Sequence, residues 1–179
     1  MALHEVDFRE LKQNPYDLFD RRWAILAAGN ENDGFNGMTI AWGTLGALWD
    51  KLPQVDFKGM CNPVATVYVR PSRHTKEFMD SEDLFTISVL PEELHHVHSI
   101  MGKKSGCDMD KFTASGITPA FENGTVHVAE SELVLVCRKL YAAELSLDSF
   151  TDKEVVERDY PAGDVHVQYV GQIIKTLVK

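Results

Sequence analysis

The sequence predicts a mainly β protein, an antiparallel β-barrel with peripheral helices, with residues 1–179 forming a single domain. Three observations point there. Five to seven segments are rich in β-branched and aromatic residues or alternate apolar with polar, and only two or three short helical stretches lie between them. Strands do not alternate with long helices, as βαβ units would require. Asn123-Gly124 is the strongest kind of short hairpin signal, because both residues tolerate the positive φ of a type I′ turn. A hydrophobic content of 44% allows a core of its own, while a net charge of −9 argues against nucleic acid and anionic membrane surfaces as partners.

Taken in order, residues 1–20 form a lead-in whose helical pattern, over 5–20, is interrupted at Asn14-Pro15. Trp23–Ala28 is an apolar run that suits either a buried strand or a helix end. The Gly/Asn/Asp-rich stretch 29–37 reads as a turn. From Met38 to Trp49 the chain reads as one strand on which Thr39, Ala41 and Gly43 share a face. Such a face leaves room for a flat ligand close to the backbone, or it marks a tightly packed strand bend. Residues 53–63 read as a connector, and Ala65–Val69 as a short strand.

Pro71 stops that strand, and Ser72 is a good N-cap for a helix running through Phe78 towards Asp80. Arg70, Arg73 and Lys76 stand around this turn with the hydroxyls of Ser72 and Thr75. By composition seven residues should carry about 0.7 lysines and arginines. Residues 70–76 carry three. Arg binds phosphate bidentately and Lys as a point charge, so a local reversal of sign fits a phosphate clamp. An ordinary capped helix with a solvated basic face fits the same residues.

Leu84–Leu90 alternates as a strand. Pro91-Glu92-Glu93 opens a helix that ends near Gly102. Residues 102–116 form a polar loop with one helical turn around 110–114, long enough to be a functional lid. Residues 125–129 and 133–145 read as strands, 148–150 as a turn, and 165–178 as a final strand with a bulge at Gly171. No GxGxxG follows a strand, and there is no Walker A motif.

Three cysteines (Cys61, Cys107, Cys137) form no CxxC pair, and Met1–Glu10 has no basic or apolar leader region. Both features suggest a cytoplasmic protein with free thiols. No apolar run is long enough for a membrane helix. His95, His96 and His98 fall on one predicted helix, but two helical histidines do not make a zinc signature, so no metal is expected. His166 lies within an apolar strand as either a core histidine or a functional one.

Four motifs occur in order: Asn36-Gly-Met-Thr-Ile-Ala-Trp-Gly43, Val69-Arg-Pro-Ser-Arg-His-Thr-Lys-Glu-Phe78, Gly102-x-x-Ser-Gly-x-Asp-x-Asp-Lys-Phe112 and His166-x-x-Tyr-Val-Gly171. Together they resemble the flavin reductase-like family of FMN-binding split barrels, which includes flavoredoxin. The resemblance implies a homodimeric Greek-key split barrel with FMN near the subunit interface. It implies that Asn36, Met38, Thr39, Ile40, Ala41 and Trp42 border the isoalloxazine, and that Arg70, Ser72, Arg73 and Thr75 hold the phosphate. Ser105, Gly106, Asp110 and Lys111 would lie on a loop against the flavin, and His166 near the flavin or nicotinamide as the catalytic candidate. Cys107 stands where similar sequences often carry Arg. The implied function is an NAD(P)H-dependent flavin or small-substrate reductase, with NADH or NADPH as donor. The alternatives are a flavoredoxin-like electron carrier served by a redox protein partner, and a flavin-storage or sensory protein.

Overall fold

The computed structural model describes residues 2–52 and 59–179. Most of the 53–63 connector therefore lies outside the described residues. One large sheet organises the chain. Its strands run in the order β3 (Gly34–Ile40), β2 (Ala24–Asn30), β6 (Leu84–Val89), β9 (Leu133–Glu144), β10 (Val167–Val178), β5 (Cys61–Val69) and β4 (Gly43–Asp50), each antiparallel to its neighbours. The three-residue β1 (His4–Val6) pairs with the end of β10.

The curl of this sheet follows from chain length. β3 and β4 are the two ends of the path, yet only Ala41 and Trp42 separate them in sequence. Each residue spans at most about 3.5 Å, so the path must bend round until its ends nearly meet. They do not pair with each other, and the barrel stays split there. The two joining residues are exposed at the split.

Strand alternation sorts β2 between two layers. Leu26 and Ala28 face the barrel interior with Val67, Phe85, Ile87, Leu135 and Tyr169. Ile25 and Ala27 face outward, under Val97 and Met101 of α2 (Val97–Lys103), Phe112 of α3 (Lys111–Ser115) and Val126 of the hairpin β7–β8 (Pro119–Glu122, Thr125–Val128). Buried on both faces, β2 reads as an unbroken apolar run. That is why its sequence could not separate strand from helix. The hairpin turns on Asn123 and Gly124, both at positive φ, as expected. The register of β10 against β9 shifts between Val170 and Gly171, where a Cβ would lie 2.5 Å from the Phe85 ring.

Several expectations change. Residues 29–37 are mostly strand; the turn is confined to 31–33. The 38–49 segment is two strands, not one. Thr39 is tied to α2, whereas Gly43, across the break, packs against Phe19, whose ring would lie 2.4 Å from a Cβ there, so Thr39 and Gly43 do not lie on one strand face. The lead-in holds β1 and two short helical turns (Phe8–Glu10 and Asp17–Arg22). Residues 91–101 split into a 3₁₀ turn (Glu92–Leu94) and α2. A helix absent from the sequence reading, α4 (Lys153–Asp159), follows the 3₁₀ turn Leu147–Ser149. Among the described residues, no helix is long and apolar enough to cross a membrane.

Candidate functional site

The site begins where β5 ends at Val69. Arg73 N–H donates to the Arg70 carbonyl at 3.0 Å, closing a turn over 70–73. This turn delays α1 (Thr75–Ser81), so Ser72 does not cap the helix; His74 precedes it without a side-chain cap. Ser72 instead lines a pocket opposite the last turn of α2. There Arg73 Nη1 donates to the Gly102 carbonyl at 3.1 Å, and Lys111 Nζ donates to the Met101 carbonyl at 3.1 Å. The terminal carbonyls of a helix carry partial negative charge, which lets two cations approach one another here. Lys111 is nevertheless pushed down to about 8, first by burial and then by Arg73.

Lys103, Lys104, Thr75 and Ser105 also line it, and no carboxylate belongs to the wall among the described residues. In a chain of net charge −9 this is an unusual concentration of cations. The pocket holds about 80 Å³. A water molecule takes roughly 30 Å³ of liquid, so the space suits a phosphate-sized anion rather than a ring system. The loop fits closely against β3. A Cβ on Gly106 would lie 2.7 Å from the Asn36 amide, and one on Gly102 would lie 3.3 Å from Thr39. Buried Asn36 donates Nδ2 to Thr75 Oγ1 at 3.2 Å, tying β3 to the start of α1. Asn36 thus positions the pocket from behind.

A second pocket of about 190 Å³ shares Met38 and Arg73 with the first and continues along Thr39–Trp42 to Tyr68, Arg70 and His166. Because β3 is an edge strand, alternate backbone N–H and C=O groups on its free side have no ladder partner. His166 is buried, shares a 2.9 Å hydrogen bond with Tyr160 Oη, and lies 4.8 Å from the Trp42 ring. Burial, helped by Arg70, pushes its imidazole down to about 4, so it is neutral at pH 7.

Two expected ligands have other partners. Arg70 donates Nη1 to Asp164 Oδ2 at 2.7 Å and Nη2 to the Asp159 carbonyl at 2.8 Å, so its charge is answered within the protein and it borders the second pocket, not the phosphate-sized one. Asp110 caps α3: its Oδ1 accepts from the N–H groups of Phe112 (3.0 Å) and Thr113 (3.2 Å). That work holds its carboxyl below the usual range, with the Thr113 hydroxyl the main cause. Cys107 is exposed on the same loop.

The sequence reading overlooked Lys103 and Lys104, although the same charge signal that marked 70–76 was present there. It also overlooked Tyr68, Tyr160 and Asp164, which reach the site only through tertiary pairing. His95 and His98 lie 5.3 Å apart beside Trp23, and His98 bonds Thr39. No group of three or more metal-ligating side chains gathers among the described residues.

The donor set fits FMN: hydroxyls and cations at one end, and a neutral strand edge at the other. A family model described as the flavin reductase like domain matches residues 59–178. Comparison with curated proteins finds no match. Solved structures do match. An FMN-binding domain of a flavin reductases-like enzyme from Shewanella baltica OS155 has a TM-score of 0.64 at 17% identity, covering 98% of this chain and 76% of that one. The flavoredoxin of Desulfovibrio vulgaris (Miyazaki F) gives 0.62 at 18%, covering 88% and 69%. An NADH:FAD oxidoreductase from Streptomyces globisporus C-1027 gives 0.61 at 14%, covering 88% and 75%. At these identities the structures speak for the fold alone. The family model spans well over half the sequence, so the chain belongs to the flavin reductase-like family and has its split-barrel fold.

Proposed function

We propose that the protein is an FMN-dependent oxidoreductase. The observation that carries this is the continuity of two unlike pockets through Met38 and Arg73. Ser72, Arg73, Thr75, Ser105, Gly106 and Lys111, joined by Lys103 and Lys104, would hold the phosphate. The backbone of 38–42 would border the ring system. Bound FMN supplies hydride-transfer chemistry, and the protein supplies binding, orientation and electrostatics. His166, being neutral, orients through hydrogen bonding and is not a proton store at pH 7. Lys111 and Arg73 would place positive charge beside the bound anion.

NADH or NADPH is the proposed electron donor. One observation favours the second reading, a flavoredoxin-like carrier served by a redox protein. A cavity of about 910 Å³ bordered by Trp42, Phe19 and Tyr160 has, among the described residues, no Lys or Arg in its wall to meet a dinucleotide's pyrophosphate. Anaerobic addition of NADH and of NADPH to FMN-loaded protein separates the two readings. Bleaching of the flavin absorbance supports the reductase; no bleaching by either supports the carrier.

A homodimer belongs to the same proposal. The edge strand β4 exposes Leu48 and Trp49, and Trp42 just before it is exposed as well, apolar side chains suited to a second copy. Sedimentation should give twice the chain mass. A cytoplasmic location accords with cysteines that are all free.

A further inference from the structure

A cavity several times larger than either pocket of the groove assigned to FMN lies beside that groove. It holds about 910 Å³ and opens on the other side of Ala41 and Trp42, between the lead-in and the segment 145–160. Tyr16, Phe19, Leu45, Leu145, Phe150 and Tyr160 give it an apolar, largely aromatic wall. Ser146 and Ser149 add hydroxyls, and Asp20 is the one charged side chain among the described residues that line it. The size lies within the ordinary range of small-molecule sites, about 300–1,000 Å³. It also shares Ala41, Trp42 and Tyr68 with the ring-end pocket. The His166–Tyr160 hydrogen bond crosses this partition, since His166 lines one side and Tyr160 the other.

We propose that this cavity binds a neutral, ring-bearing organic molecule, placed beside the flavin groove as a second ligand. The wall chemistry selects the class. Aromatic faces and apolar side chains reward the burial of a flat apolar surface. Among the described residues the wall has no Lys or Arg to meet an anion, and Asp20 repels one. The serine and tyrosine hydroxyls can satisfy one or two polar atoms on the ring. The location beside the flavin rests on the FMN reading above; the ligand class rests on the wall alone.

A matched pair of fluorescent probes tests it. N-phenyl-1-naphthylamine is neutral, and 8-anilinonaphthalene-1-sulfonate is nearly the same molecule with an added sulfonate. The neutral probe should bind one per chain, about tenfold or more tighter than the sulfonate. Ser149→Trp fills the cavity from an exposed turn. It should weaken the neutral probe by about tenfold while FMN affinity stays within about twofold. Equal or tighter binding of the sulfonate would overturn the ligand class. Unchanged probe binding in Ser149→Trp, or displacement of probe by FMN, would overturn the location. Loss of probe binding as the chain dimerises would assign the cavity to the second copy instead. If FMN fails to bind while the probes behave as stated, the flavin reading falls and the cavity assignment stands.

Discussion

The two ends of the groove differ in how charge is handled. At the ring end Arg70 enters the wall already paired, with Asp164 and the Asp159 carbonyl taking its donors. At the other end Arg73, three residues later, donates to a backbone carbonyl, and three lysines join it with no carboxylate in the wall among the described residues. On the proposed reading, Arg70 serves the fold and Arg73 is left to meet an anion from outside. Two arginines of one turn, equal by composition, thus divide under the proposal according to whether the fold supplies a counter-ion.

That division can be broken residue by residue. The largest effect on binding belongs to Arg73. Arg73→Ala should weaken FMN by about 1.5–3 kcal/mol, the scale of a charge-assisted hydrogen bond, and leave riboflavin nearly unchanged by calorimetric titration. Arg70→Ala should do the reverse. Thermal or urea unfolding should show a loss of about 2 kcal/mol, because Asp164 and the Asp159 carbonyl lose their donor, while the preference for FMN over riboflavin persists. A reversal of these two outcomes would mean that the wrong arginine has been assigned to the phosphate.

Acid and alkali sharpen the same contrast. The buried His98 and His166 are both pushed down to about 4, with burial as the main cause. Below the unfolded value of about 6.5 the unfolded chain takes up protons that the folded chain refuses. Stability is therefore full above pH 6.5 and falls as pH drops towards 4, by about 1 kcal/mol per histidine at pH 5.5. Replacing either histidine with Gln should flatten the denaturant midpoint against pH in that window. The smallest effect sits at the cationic end. Lys111, pushed down to about 8, is charged at pH 7 and loses its charge as pH rises through 8. FMN affinity should fall about three- to fivefold between pH 7 and 9, less than full loss of the charge because a bound dianion raises the Lys111 pKa. Riboflavin affinity should stay flat over the same range.

The sequence made the 70–76 part of the cationic end legible because its signals are local: an excess of positive charge over seven residues, with hydroxyls beside it. The place of 38–42 beside the ring system came from the family resemblance, not from a local signal. What stayed hidden depends on distant partners. Asp164 is 94 residues from Arg70, and nothing near either announces the pair. The break at Ala41-Trp42 was concealed because Thr39, Ala41 and Gly43 keep a strand-like spacing across it. The transfer from one sheet edge to the other is tertiary, with Phe19 packed against Gly43. Ser72 looks like a cap until the 70–73 turn moves the helix start to Thr75. α4 has no buried side chain and so left no apolar period to read.

The central claim is that one end of the groove is built for a phosphate and the other for a neutral ring system. The most direct measurement is the affinity of the unmodified protein for FMN and for riboflavin, which differ only in that phosphate. The account predicts that FMN binds about a hundredfold tighter, from two or so charge-assisted contacts. Equal affinities, or riboflavin binding tighter, would contradict it and return residues 70–76 to an ordinary basic surface turn.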